Sequence, residues 1–155
     1  MTNFRKYISW ALLIGFMMLI FWFSHQTATD STGTSSTFIE TILNIVTFST
    51  LSPDKVTEIA ILIETPVRKL AHFTLYFIMG LLSFNALYNS NIKSVKKLVM
   101  LSLLICFLYA VSDEVHQIFV PGRAGMISDV LIDTSGSFCG ILSITAMCKH
   151  KKLLL

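Results

Sequence analysis

The side chains able to do chemistry recur in short blocks. Lys69, His72 and Tyr76 are spaced i, i+3, i+7, so on a helix they share one face. Asp113 and Gln117 are four apart and Glu114 and Gln117 three apart, with Arg123 shortly after. Asp129 and Asp133 are again four apart, and Gln26 follows the first long apolar run. Carboxylates beside a histidine suit general acid–base work where shielding can move their proton affinities. Glu114 or Asp113 is the candidate base, with His72 as partner. Arg123, Lys69 and, less directly, Arg68 suit a phosphate or carboxylate, which a guanidinium holds by two parallel hydrogen bonds. Gln117, Tyr76, Gln26, Asp129 and Asp133 complete a substrate-binding set. No nucleophile motif, glycine-rich phosphate loop or zinc signature is present. A divalent ion on His72, Glu114 and Asp129 is an alternative, but no metal-ligand pattern is established and no cofactor is legible.

The elements that must position these groups are membrane helices. The chain of 155 residues is 54% apolar and 14% charged, with a mean hydropathy of +0.70. Ordinary soluble domains carry about 25% charged residues. Disordered, collagenous and disulfide-rich secreted chains are excluded. Cys106, Cys139 and Cys148 lie inside apolar runs without regular spacing and read as small core residues. Apolar runs cover residues 7–23, 70–88, 98–120 and 127–148, each able to cross the roughly 30 Å hydrocarbon core as a helix. Ser24-His25-Gln26-Thr27 offers no small-x-small cleavage site, so the first run reads as a span rather than a signal peptide. The expected fold is all-α, a single domain over residues 1–155 built as a bundle of four transmembrane helices.

Charge sets the orientation. Arg5, Lys6, Lys93, Lys96, Lys97, Lys149, Lys151 and Lys152 fall on one side of a four-span arrangement, and all nine acidic residues fall on or near the other. The positive-inside rule places both termini in the cytoplasm. The basic residues form short flanking clusters, which argues against nucleic-acid binding. Trp10 and Trp22 fit interfacial anchoring, as do His25 and His116.

Depth arithmetic gathers the polar groups. At about 1.5 Å per residue, Asp113 sits roughly 22 Å above the inner boundary, Asp133 about 24 Å and Asp129 about 30 Å. Ser24 and Gln26 lie at about 27 to 30 Å, and from the outer side His72 is about 3 Å deep and Tyr76 about 9 Å. All four spans thus place polar groups in the outer third of the membrane. Burying one charged group costs on the order of 2.5 to 3.5 kcal/mol at mid-membrane, so such residues mark function by default. A structural ion-pair network, with Arg68, Lys69 and Arg123 neutralising the carboxylates, is the alternative. Gly136 and Gly140 continue the Asp129–Asp133 stripe as a Gly-x-x-x-Gly that permits close helix approach.

The outer loop, residues 24–69, opens with a Ser/Thr-rich stretch to Thr37 that reads as flexible. Two short amphipathic helices follow. The first carries Phe38, Ile42, Ile45 and Val46. The second starts at Ser52-Pro53 and carries Val56, Ile59, Ala60, Ile63 and Val67. They would lie on the outer leaflet or cap the bundle.

Taken in order, these blocks resemble the VanZ-like family of small bacterial membrane proteins. The matching segments are Phe23-Ser24-His25-Gln26, then Arg68-Lys69-Leu70-Ala71-His72-Phe73 with Tyr76. They continue with Asp113-Glu114-Val115-His116-Gln117 through Pro121-Gly122-Arg123, and end with Asp129 through Gly136 and Gly140. Position 133 is often Asn in such proteins, and a small residue is frequent where His25 stands. The resemblance implies a multi-pass protein of the bacterial cytoplasmic membrane acting at the cell envelope, where the founding member lowers susceptibility to teicoplanin. Three functions stay open. One is an enzyme or carrier for an anionic membrane lipid or lipid-linked cell-wall intermediate. Another is a shielding protein that binds without chemistry. The third is a structural subunit of another membrane protein.

Overall fold

The computed structural model describes residues 3–150. Lys151 and Lys152, counted above among the inner basic residues, lie outside the described residues. All regular elements among the described residues are helices: α1 (Asn3–Ser24), α2 (Ala28–Val46), α3 (Pro53–Tyr88), α4 (Val95–Gln117) and α5 (Ile127–His150). Helices α1, α3, α4 and α5 are long and apolar enough to cross a membrane. Their outer surfaces expose Leu12, Met18, Leu104, Leu108 and Leu142, an apolar coat that suits lipid. The chain is a multi-pass membrane protein.

The segment between the first two spans differs from the expected loop. Residues 28–37 form the first half of α2. Thr27 caps this helix: its Oγ1 accepts from the Asp30 amide (3.3 Å) and donates to Asp30 Oδ2 (2.6 Å). Thr34, Thr37 and Thr41 return their hydroxyls to the carbonyls of Asp30, Gly33 and Thr37. Polar side chains that would otherwise compete with the backbone are thereby satisfied inside the helix. The helix ends in a Schellman turn. Ser49 N–H donates to Asn44 O (2.8 Å) and Phe48 N–H to Ile45 O (3.3 Å), with Phe48 at φ 50° where glycine is usual.

The second amphipathic segment and the second span are also one element. Helix α3 runs 36 residues through Pro66, so the proline, which removes one backbone donor, does not end it. At about 54 Å it far exceeds the hydrocarbon core. Its first half lies antiparallel to α2, with Thr57 Oγ1 3.5 Å from Glu40 Oε1. Val56 and Ala60 are buried against α2, whose own buried residues are Ser31 and Ile39. The apolar stripe at Phe38, Ile42, Ile45 and Val46 faces outward.

Helices α3 and α5 run parallel in intimate contact. A Cβ added at Gly136 would collide with the Phe73 carbonyl, one at Gly140 with the Phe77 carbonyl, and one at Gly80 with the Ser137 carbonyl. The glycines therefore let backbone lie on backbone, as the Gly-x-x-x-Gly spacing anticipates. Ser137 Oγ adds a hydrogen bond to Tyr76 O (3.2 Å). At the opposite level Asn85 and Asn89 donate to Ser9 Oγ, and the Trp10 indole donates to Ser90 Oγ at 3.0 Å. Trp10 is thus tied into the bundle, whereas Trp22 is exposed. Of the cysteines only Cys106 is a core residue; Cys139 is exposed and Cys148 half-buried.

Replacing Gly136 by Leu should destabilise the folded protein in detergent by about 3 kcal/mol, the upper range for overpacking. Gly15→Leu, where an added Cβ meets nothing within 4 Å, should leave thermal unfolding nearly unchanged. Equal behaviour of the two variants would contradict the α3–α5 seam.

Candidate functional site

The glycine seam sets the register of the polar residues. His72 lies one turn above Tyr76 on α3, and Asp133 lies just before Gly136 on α5. His72 Nδ1 stands 3.3 Å from Asp133 Oδ1. The contact is a charge proximity: neither Asp133 oxygen has a hydrogen-bond partner of good geometry, although the residue is completely buried.

Helix α4 brings the other carboxylates. Asp113 (2% exposed), Glu114 (5%) and Gln117 (5%) face inward near its end. The Gln117 amide donates to Ser24 Oγ on α1 (3.0 Å) and to Asp113 Oδ2 (3.4 Å). Glu114 Oε2 accepts the Met126 backbone N–H at 2.7 Å, which fixes the chain entering α5. Gly125 permits this, since a Cβ there would lie 2.6 Å from the Glu114 carbonyl. Asp113 and Glu114 each keep one buried oxygen without a partner, and the fully buried Tyr76 hydroxyl has none. Carboxylate oxygens of Asp113, Glu114 and Asp133 all lie within 4.8 Å of one another.

A cavity of about 600 Å³ adjoins this cluster, between the end of α1, the start of α2 and the middle of α3. His72, Tyr76 and Asp113 line one end, Arg68 and Arg123 supply positive charge, and Phe23, Phe38 and Leu75 supply apolar wall. Arg68 is 3.7 Å from Glu64. Arg123, half-buried in the α4–α5 turn, makes no ion pair within 4 Å among the described residues. Partial burial and the nearby Arg68 push its guanidinium down from its ordinary value, while Asp113 and Glu114 oppose that shift. It stays protonated at any physiological pH.

The VanZ/LLP1 family model matches residues 9–148. The chain belongs to the VanZ/LLP1 family. No curated protein and no solved structure matches the chain.

In this VanZ/LLP1 protein the expected residues separate into groups. His72, Tyr76, Asp113, Glu114, Gln117 and Asp133 come together in the buried cluster. Gln26 and Arg123 line the cavity. Asp129 is half-buried at the start of α5 and lies outside the close carboxylate trio, with Ser128 Oγ 3.1 Å from its Oδ1. The ligand set His72, Glu114 and Asp129 is therefore replaced by Asp113, Glu114 and Asp133 as the group within mutual reach. Lys69 is exposed and lies off the cavity, because the adjoining Arg68 takes the inward position instead. The alternative of an ion-pair network among Arg68, Lys69, Arg123 and the carboxylates is not seen among the described residues, where the two ion pairs are Arg68–Glu64 and His72–Asp133.

Sequence reasoning missed Ser31, Thr34 and Ser35, which line the cavity from α2. Their spacing with Phe38 is helical, and the Thr27-x-x-Asp30 cap was the available signal. It also missed the pairing of His25 Nδ1 with His116 Nε2 at 3.2 Å, which ties the end of α1 to α4 beside Phe21.

Coupling between His72 and Asp133 should be measurable by a double-mutant cycle. His72→Ala should lower thermal stability more in the native protein than in an Asp133→Asn background, with a coupling on the order of 1 kcal/mol. Strict additivity would show that the two groups do not interact.

Proposed function

We propose that this VanZ/LLP1 membrane protein binds an anionic amphiphile, a membrane lipid or lipid-linked cell-wall intermediate, in the cavity between α1, α2 and α3. The observation that carries this reading is Arg123, half-buried without an ion pair among the described residues, beside Arg68 at a largely apolar cavity. Two like charges held near each other at an apolar wall favour a ligand with an anionic head and hydrocarbon chain. Ser31, Thr34 and Ser35 offer hydroxyls to the rest of the head. The family resemblance supports a location in the bacterial cytoplasmic membrane, and the charge distribution of the sequence supports cytoplasmic termini with the cavity at the outer leaflet. Lowered susceptibility to teicoplanin, implied by the resemblance, fits a protein that holds or alters an envelope lipid there.

A second reading adds chemistry to binding, because His72, Tyr76 and Asp113 face both the cavity and the carboxylate cluster. Asp113 and His72 are then the acid–base groups at the cavity wall. Glu114 is less free for that role, since one of its oxygens holds the Met126 amide.

Protein in nanodiscs should retain anionic phospholipid over phosphatidylcholine in native mass spectrometry. Arg123→Ala and Arg68→Ala should each weaken that preference roughly tenfold, the scale of one lost charge-assisted hydrogen bond. Equal retention of both lipids, or two variants that behave as the native protein, would refute the binding reading. In cells, Arg123→Ala at normal membrane abundance should match the teicoplanin susceptibility of a deletion strain. In a background lacking Cys106, Cys139 and Cys148, a cysteine replacing Asp54 should react with an impermeant thiol reagent from outside. One replacing Lys93 should be protected; the reverse pattern would invert the orientation.

A further inference from the structure

We infer that Asp113, Glu114 and Asp133 form a binding site for one divalent cation beside the cavity, sharing Asp113 with the cavity wall. Oxygens from the three residues lie within 4.8 Å of one another, and all three side chains are buried. Oxygens on opposite sides of a calcium ion are about 4.6 to 5.2 Å apart, and those across magnesium about 4.0 to 4.2 Å. One ion can therefore reach all three groups with little side-chain movement.

The same three residues carry unsatisfied atoms. Asp113 Oδ1, Glu114 Oε1 and both oxygens of Asp133 are buried without a hydrogen-bond partner. The Tyr76 hydroxyl, on another helix and completely buried, is likewise unpartnered, and Tyr76 lines the same cavity as Asp113. Buried polar atoms in folded proteins are nearly always satisfied. Unpartnered carboxylate oxygens on all three residues, with a buried hydroxyl on a neighbouring helix, form a set of hard oxygen ligands, the type that selects Mg²⁺, Ca²⁺ or Mn²⁺ over softer metals. Three carboxylates in a membrane interior also need compensating positive charge. His72, beside Asp133, supplies at most one unit, and neither arginine makes a direct ion pair with the trio. The remaining oxygens of Asp113 and Glu114 are held by Gln117 and the Met126 amide, which orients the open ones as supporting contacts orient metal ligands.

The probe is Mn²⁺, titrated into the full-length protein in detergent and followed by the loss of the free-ion paramagnetic resonance signal. One saturable site per chain, displaced by Ca²⁺ or Mg²⁺, is expected. Asp133→Asn, Asp113→Asn and Glu114→Gln should each weaken it at least tenfold while remaining monodisperse, whereas Asp54→Asn, far along α3, should not. Tyr76→Phe, which keeps every carboxylate, should weaken it severalfold. Absence of a saturable site in the folded native protein would overturn the inference and assign the compensating charge to shared protons. A site of unchanged affinity in Asp133→Asn would also overturn it. Because Glu114 and Asp133 lie off the cavity lining and Arg68 and Arg123 remain intact, lipid retention is scored separately in Asp133→Asn and Glu114→Gln.

Discussion

The backbone contact between α3 and α5 is the constraint on which the rest depends. Inside a bilayer, apolar side chains gain little by leaving lipid for protein, so association rests on close packing and interhelical hydrogen bonds. Gly80, Gly136 and Gly140 supply the packing by letting carbonyls of the facing helix occupy the space of a missing Cβ. The two helices run parallel, so the contact fixes one register along its whole length. That register puts His72 against Asp133 and Ser137 Oγ on the Tyr76 carbonyl. A shift by one residue would rotate Asp133 away from the bundle interior.

The other carboxylates reach the same level by a different route. Helix α4 is held to α1 through Gln117 and Ser24 near their ends and through the Tyr109 hydroxyl, which donates to Met17 O at 2.5 Å. The turn into α5 folds back over Glu114, with Gly122 at φ 76° and Met126 N–H on the Glu114 carboxylate. Asp113 and Glu114 therefore serve the fold with one oxygen each and leave the other open. Asp133 has no structural hydrogen bond at either oxygen. A network built only to lock the bundle would pair these oxygens with Arg68 or Arg123. Arg68 instead stands near Glu64 on its own helix.

Much of this arrangement was legible in the sequence. The four apolar runs, the convergence of polar groups at one depth and the glycine spacing each follow from a rise of 1.5 Å per residue and the cost of burying charge. Which member of an adjacent basic pair turns inward was not legible. Lys69 fits the helical phase of His72 and Tyr76, yet Arg68 lines the cavity. Residues one apart on a helix differ by about 100°, and both flank the face that opens between α1 and α2. The position of α2 decides the matter, and that is a tertiary fact. The Ser/Thr-rich start of α2 was misread for a related reason. Low hydropathy suggests a flexible loop, but the threonines satisfy themselves on carbonyls four residues back, and Thr27 caps the helix.

The position of α2 also explains why the cavity is a cavity. Without that helix, the polar ends of α1, α3 and α4 would form an open cleft. Helix α3 continues through Pro66 and gives α2 a partner of matching length, buried at Ser31 and Ile39 on one side and at Val56 and Ala60 on the other. The stripe of Phe38, Ile42, Ile45 and Val46 stays exposed on the surface of the helix pair. The first half of α2 walls the cavity with hydroxyls on the side facing Arg68 and Arg123. Along one stripe, the same helix thus carries hydroxyls at Ser31, Thr34 and Ser35 beside the cavity and apolar side chains from Phe38 onward, so the cavity wall changes from polar to apolar along the length of α2.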